Sequence, residues 1–169
     1  MTTTDEPRLR IGILGTANIA RKNARAIHKS RRCELIAIAS RRPERATEWA
    51  QSVAPWFGPG GVRAYGSYDE LLACADIDAV YVPLPTALHA TWVRRVADAK
   101  KHVLLEKPVA LSAAAFLELV QYCRARGVRV MDGTMFVHHP RHASLLTLLD
   151  PADAGLGYVV LYIYIYVCA

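Results

Sequence analysis

Cysteine is scarce. The four residues, Cys33, Cys74, Cys123 and Cys168, lie more than 40 positions apart and form no C-x-x-C pair. That spacing excludes a disulfide framework and the usual zinc arrangements, and it reads as the reduced, mostly buried thiols of a cytoplasmic protein. No third ligand joins His138 and His139 at metal spacing, so no metal site is expected. Long apolar runs are missing until Tyr158, and the run that begins there is too short for a membrane span. The opening M-T-T-T-D-E-P lacks the apolar stretch of a secretory signal, and its acidic pair argues against a transit peptide. Aromatic residues make up only 8% of the chain and do not alternate with Lys and Arg as stacking platforms. Nucleic acid is therefore not an expected partner.

What is present suits one domain of ordinary size, or one domain and a fragment. Of 169 residues, 53% are apolar and 21% charged, enough for a real core. The net charge is +6, and 11 of the 21 basic residues precede position 46. Such a cluster is either an anion-attracting field or the solvated faces of helices.

The stretch from Arg8 to Ala20, R-L-R-I-G-I-L-G-T-A-N-I-A, organises the rest. Leu9, Ile11, Ile13 and Leu14 predict a short strand, Gly15-Thr16-Ala17-Asn18 a turn, and Ile19 the start of a helix running to about Ser30. A strand that breaks at glycine and re-enters as a helix aims free N–H groups and the positive end of the helix dipole at one spot, a ready phosphate site. Gly15, Ala17 and Ala20 occupy the small-residue positions of the G-x-G-x-x-G/A fingerprint, with alanine where glycine usually admits the pyrophosphate. A turn that merely needs a glycine is the plain alternative.

The next strand, Glu34 to Ser40, is apolar nearly throughout, as a buried parallel strand is. No Asp or Glu closes it. Ser40, Arg41 and Arg42 stand where an NAD-binding domain places an acid for the ribose 2′-hydroxyl. A guanidinium there can grip a 2′-phosphate with a planar fork of donors, so NADP is expected over NAD. Exposed loop charges are the alternative. Pro43 opens a helix to about Val53, and Ala54 to Gly61 reads as a turn-rich loop. Val62 to Tyr65 is a third strand, and Ser67 with Glu70 has the capping-box spacing.

The fourth strand, Ala79 to Val82, stops at Pro83 and Pro85. Thr86 is placed to cap the following helix and His89 to sit in its first turn. In a doubly wound sheet this loop borders the ligand crevice, which brings Leu84, Pro85, Thr86 and His89 toward a cofactor. A hydrogen-bonded structural histidine is the alternative for His89. The fifth strand, His102 to Leu105, ends in Glu106-Lys107-Pro108. A lysine there can donate a hydrogen bond or a proton to a substrate oxygen while hydride leaves the neighbouring carbon, with Glu106 orienting the ammonium. The alternative is a surface ion pair of small worth. A helix from about Ser112 to Arg126, capped by Gly127, precedes a sixth strand at Val128 to Met131.

Four pieces together, G-I-L-G-T-A-N-I-A at Gly12 to Ala20, P-L-P-T-A-L-H at Pro83 to His89, E-K-P at Glu106 to Pro108, and D-G-T-M-F-V-H-H-P at Asp132 to Pro140, resemble the nucleotide-binding half of the glucose-fructose oxidoreductase/inositol dehydrogenase (Gfo/Idh/MocA) family. The branch most similar is that of dihydrodiol dehydrogenase and NADP-linked xylose dehydrogenase. The likeness runs over roughly residues 8 to 153. It implies an α/β Rossmann fold, a doubly wound parallel sheet in the order 3-2-1-4-5-6, over 8–137, with 138–169 the start of a substrate domain.

It also implies an oxidoreductase acting on the CH–OH of a sugar or cyclic diol. Thr16 to Ile19 would hold the pyrophosphate, Ser40 with Arg41 the adenosine ribose and its phosphate, and Leu84 to His89 would lie against the cofactor. Lys107 matches the catalytic-site lysine. Relatives carry a second domain of over a hundred residues with a Tyr or His proton partner, whereas here Y-V-V-L-Y-I-Y-I-Y-V-C-A follows Gly157. That alternation fits a strand and an aggregation-prone edge. A truncated form is expected, and a non-catalytic dinucleotide-binding or interaction fragment is the rival.

Overall fold

The computed structural model describes residues 7–58 and 60–148. Six parallel strands form one sheet: β1 (Leu9–Leu14), β2 (Cys33–Ala39), β3 (Arg63–Tyr65), β4 (Ala79–Val82), β5 (His102–Leu105) and β6 (Val130–Asp132). Their order is β3-β2-β1-β4-β5-β6, so the chain reverses direction across the sheet between β1 and β4. This is the expected doubly wound α/β fold.

Helices α1 (Asn18–Lys29), α2 (Pro43–Phe57), α3 (Tyr68–Ala73), α4 (His89–Asp98) and α5 (Ala113–Arg124) make the crossovers. Alternation along each strand sorts the core in two. Ile11 and Ile13 of β1 pack with Ala20, Ala24 and Ile27 of α1 and Trp49 and Val53 of α2. Leu14 faces the other way, into a cluster with Tyr68 and Leu71 of α3, Val93 and Val96 of α4, and Leu119 of α5. Ile13 and Leu14 are fully buried, and truncating such a side chain to Ala costs about 2–5 kcal/mol.

Most element ends fall within one or two residues of expectation. The segment from Ala54 does not. The loop expected over Ala54–Gly61 is helical as far as Phe57, with Pro55 inside α2. Pro55 forfeits one hydrogen bond near the helix end, where Gln51 is exposed and water can take the freed carbonyl. Trp56 and Phe57 repay the extension by packing on His28 of α1, at ring separations of 6.5 and 5.6 Å. The expected cap at Ser67 forms, its Oγ accepting the Glu70 N–H at 3.2 Å. Ser112 caps α5 in the same way through Ala115.

The chain divides into two compact units at Gly133/Thr134. The second contains a short 3-10 turn (Met135–His138) and helix α6 (Pro140–Leu148). The tail expected to alternate as a strand lies outside the described residues.

Candidate nucleotide site

The turn after β1 sets the geometry. Gly15 has a φ of +91°, a region that L side chains rarely adopt, and its N–H donates to the Ala39 carbonyl at the end of β2. A Cβ on Gly15 would stand 3.1 Å from Leu84 Cδ2 and 3.3 Å from the Tyr68 hydroxyl. The missing side chain is thus what leaves the cleft open. Ala17 is the N-cap of α1, its side chain has no oxygen to offer and, among the described residues, its carbonyl takes only the Ala20 N–H, and no acid lies in the first turn. The first N–H groups of the helix are left for an anion.

A cavity of about 530 Å³ opens at this point. It is lined by Gly15, Thr16, Ala17, Ser40, Arg41, Arg42, Arg45, Tyr68, Pro83, Leu84 and Pro85. The sheet order explains the gathering, because the carboxyl ends of β1, β2 and β4 are neighbours at the chain reversal. Ser40 is buried, and its Oγ accepts the Arg42 N–H at 3.2 Å, which folds the turn that presents the arginines. Arg41, Arg42 and Arg45 are all exposed at the mouth. Burial pushes the Tyr68 phenol up, partly countered by the Arg41 guanidinium that hydrogen-bonds it.

Not every expected residue is on this wall. Asn18 and Ile19 flank it in the first turn of α1, Asn18 exposed and Ile19 half-buried. Thr86 opens a single 3-10 turn (Thr86–Leu88) and makes no side-chain cap, and α4 starts at His89. The expected Thr86 cap is thereby corrected: the 3-10 turn displaces the helix start by three residues and puts the hydroxyl out of register.

His89 is 1% exposed, with Nε2 2.8 Å from the Leu84 carbonyl and Nδ1 3.1 Å from the Val109 carbonyl. It sits behind the cavity wall and ties the loop after β4 to the loop after β5. The hydrogen-bonded structural reading is the one this geometry favours.

Glu106 and Lys107 are also off this wall. Lys107 is exposed and joined to Pro108 by a cis peptide bond. Glu106 does not orient the ammonium, as had been expected. Its Oε1 accepts the Tyr81 hydroxyl at 2.6 Å, and its Oε2 accepts the Lys107 backbone N–H at 3.1 Å. The carboxylate is turned toward Tyr81 inside the sheet and to the backbone of Lys107, and no contact with the Lys107 ammonium accompanies these two bonds among the described residues.

The sequence reading missed Arg45 and Tyr68. For Arg45 a signal existed: Pro43 fixes a helix start, and a residue in its first turn stays near Arg41 and Arg42. Tyr68 carries no such local mark.

The sequence profile of an oxidoreductase family with an NAD-binding Rossmann fold, GFO_IDH_MocA, matches residues 9–134. The chain belongs to this family. Among curated relatives, a dTDP-3,4-didehydro-2,6-dideoxy-alpha-D-glucose 3-reductase of Actinomadura kijaniata is 40% identical over 148 residues, 87% of this chain and 42% of the relative. An NADP(+) D-xylose 1-dehydrogenase of Haloferax volcanii is 44% identical over 129 residues, 76% of this chain and 38% of its own. The structure of a 3-ketoreductase from Actinomadura kijaniata, solved with NADP and TDP-benzene, superposes with a TM-score of 0.77 at 40% identity. It covers 85% of this chain and 42% of that one. The chain therefore spans about two fifths of the length of these relatives. Among the described residues of this family member, no helix is long and apolar enough to cross a membrane.

Proposed function

We propose that the chain carries the cofactor-binding part of an NADP-dependent oxidoreductase that moves hydride to or from the CH–OH carbon of a sugar or cyclic diol. The observation that carries the reading is the basic end of β2. Arg41, Arg42 and Arg45 meet Ser40 in the same cavity as the Gly15 turn, where an acid would select NAD. The residues fit the dinucleotide: the space a Cβ of Gly15 would fill is available to a pyrophosphate, and the guanidiniums match a 2′-phosphate in charge and shape.

When bound, the nicotinamide supplies or accepts the hydride. The chain's own contributions are separate. The α1 N-terminus and Gly15 to Ala17 hold the pyrophosphate, with Asn18 and Ile19 at the helix start, and Ser40 with Arg41 and Arg42 holds the adenosine ribose and its phosphate. Pro83 to Pro85 close the opposite side. Lys107 holds a proton at its ammonium Nζ next to the oxygen of the reacting carbon, donating as an alkoxide forms and accepting as a carbonyl forms. Residues 138–169 belong, on this reading, to the start of a substrate domain, and the setting is cytoplasmic.

One observation favours a second reading, a dinucleotide-binding module without catalysis: Lys107 stands off the cavity wall, and its ammonium has no partner among the described residues. Titration of the chain with NADPH and with NADH decides the first point. NADPH should bind at least tenfold more tightly, about 1.4 kcal/mol, and Arg41→Asp should erase the difference. Equal binding of the two by the unaltered chain would refute the NADP reading. Cofactor-linked turnover of diols or aldoses that Lys107→Ala abolishes would exclude the non-catalytic one.

A further inference from the structure

Tyr81 is buried to 1% exposure inside β4, yet its polar end is fully used. In register it lies between Ile13 of β1 and Leu104 of β5. Glu106 follows Leu104 by two residues and so leaves the strand on the same face. That face is the one covered by α1. The Tyr81 hydroxyl accepts the Asn23 Nδ2 hydrogen at 2.5 Å and donates to Glu106 Oε1 at 2.6 Å. Glu106 Oε2 then accepts the N–H of Lys107 at 3.1 Å. A continuous line of hydrogen bonds runs from the helix that begins at the phosphate turn to the lysine at the end of β5.

The phenol has no packing need for its oxygen, since a phenylalanine ring would fill the same apolar space among Ile13, Ala79 and Leu104. Burial and the neighbouring carboxylate hold it protonated far above the ordinary tyrosine range, so it remains a donor wherever Glu106 is ionised. Hydrogen bonds to a carboxylate are about twice as strong as neutral ones. A carboxylate gripped at one oxygen from within the sheet has its second oxygen directed to one place. That place is the backbone of Lys107.

We propose that Tyr81 is a positioning residue, which, steadied by Asn23, fixes the Glu106 carboxylate and through it the backbone of Lys107. Its significance for catalysis rests on the reading of Lys107 given above, whereas the hydrogen-bonded line itself does not. The helix that carries the phosphate turn and the turn that carries the lysine thereby share one frame.

Amide exchange of the full ¹⁵N-labelled chain, followed by NMR, tests it. Tyr81→Phe should speed exchange of the Lys107 amide about tenfold through local opening, while the amides of Val80 and Val103 stay within about twofold. Glu106→Ala, which removes the acceptor outright, sets the ceiling for the effect. An unchanged Lys107 amide in Tyr81→Phe overturns the proposal. So does an equal rise at Val80 and Val103, which would make the role one of packing. Should Tyr81→Phe not fold, Asn23→Ala on half-exposed α1 must speed Lys107 exchange about threefold or the proposal fails. NADPH failing to bind would refute the cofactor reading and leave the exchange result standing.

Discussion

Gly15→Ala isolates what the phosphate turn demands. The backbone there has a φ of +91°, and a methyl group would meet Leu84 Cδ2 at 3.1 Å and the Tyr68 hydroxyl at 3.3 Å. Left-handed backbone costs an L residue roughly 1–2 kcal/mol. At a urea slope of about 2 kcal/mol per M, the unfolding midpoint should fall by roughly 0.5–1 M. The Leu84 side chain can yield a few tenths of an ångström, but Tyr68 is buried at 6% exposure and packed edge-to-face on Trp92 at 4.7 Å, so it has little room to move.

Gly127→Ala is the natural control. Its φ is +72°, and nothing lies within 4 Å of its added Cβ. It should therefore lose about the same stability, roughly 1–2 kcal/mol, and bind NADPH as before. Gly15→Ala should in addition lose at least tenfold in NADPH affinity, about 1.4 kcal/mol, because on the proposed reading the methyl would occupy the approach of the pyrophosphate. Urea melts and fluorescence titrations of the two variants side by side give both quantities. An unchanged midpoint for Gly15→Ala would refute the left-handed turn. A lowered midpoint with intact NADPH binding would refute the placement of the phosphates against it.

Two further outcomes follow from buried and paired groups. His89→Leu removes a ring whose nitrogens lie 2.8 and 3.1 Å from the Leu84 and Val109 carbonyls, and a carbonyl that loses its N–H donor there costs about 1–3 kcal/mol. A urea midpoint within 0.2 M of wild type (about 0.4 kcal/mol at the slope above) would mean that other donors take over. Asp78 is held below the usual carboxylate range first by its side-chain hydrogen bonds from Arg10, at 2.8 and 3.0 Å. The folded pKa is the lower one, so its stabilisation is complete above about pH 3.9 and is lost as pH falls through the folded value. The advantage of wild type over Asp78→Asn should thus be full at pH 6 and shrink toward pH 2, whereas a pH-independent gap would contradict the pairing.

Much of the fold was legible in local patterns. Apolar runs bounded by Gly15, Pro43, Pro83 and Pro108 mark where strands stop, and the Ser67 cap depends only on a hydroxyl three residues from a free N–H. The basic end of β2 was equally plain, since Ser40, Arg41 and Arg42 are consecutive. Helix α2 ran past its expected end because the packing of Trp56 and Phe57 on His28 outweighs one bond lost at Pro55. No window around Pro55 contains His28.

The sequence by itself determined the six strands, their crossovers and the glycine turn, because each is encoded in a few adjacent residues whose backbone preferences agree. Tertiary structure alone decided which side chains meet. Tyr68 reaches the Gly15 turn only because β3, β2 and β1 are neighbours. His89 finds Val109, 20 residues away, through the same side-by-side order of β4 and β5. Glu106 turns from the Lys107 ammonium to the Tyr81 hydroxyl because parallel register sets Tyr81 beside Leu104, 23 residues on in the chain. Hydrogen bonds depend on distances in space, and a chain position fixes those only after the sheet has formed.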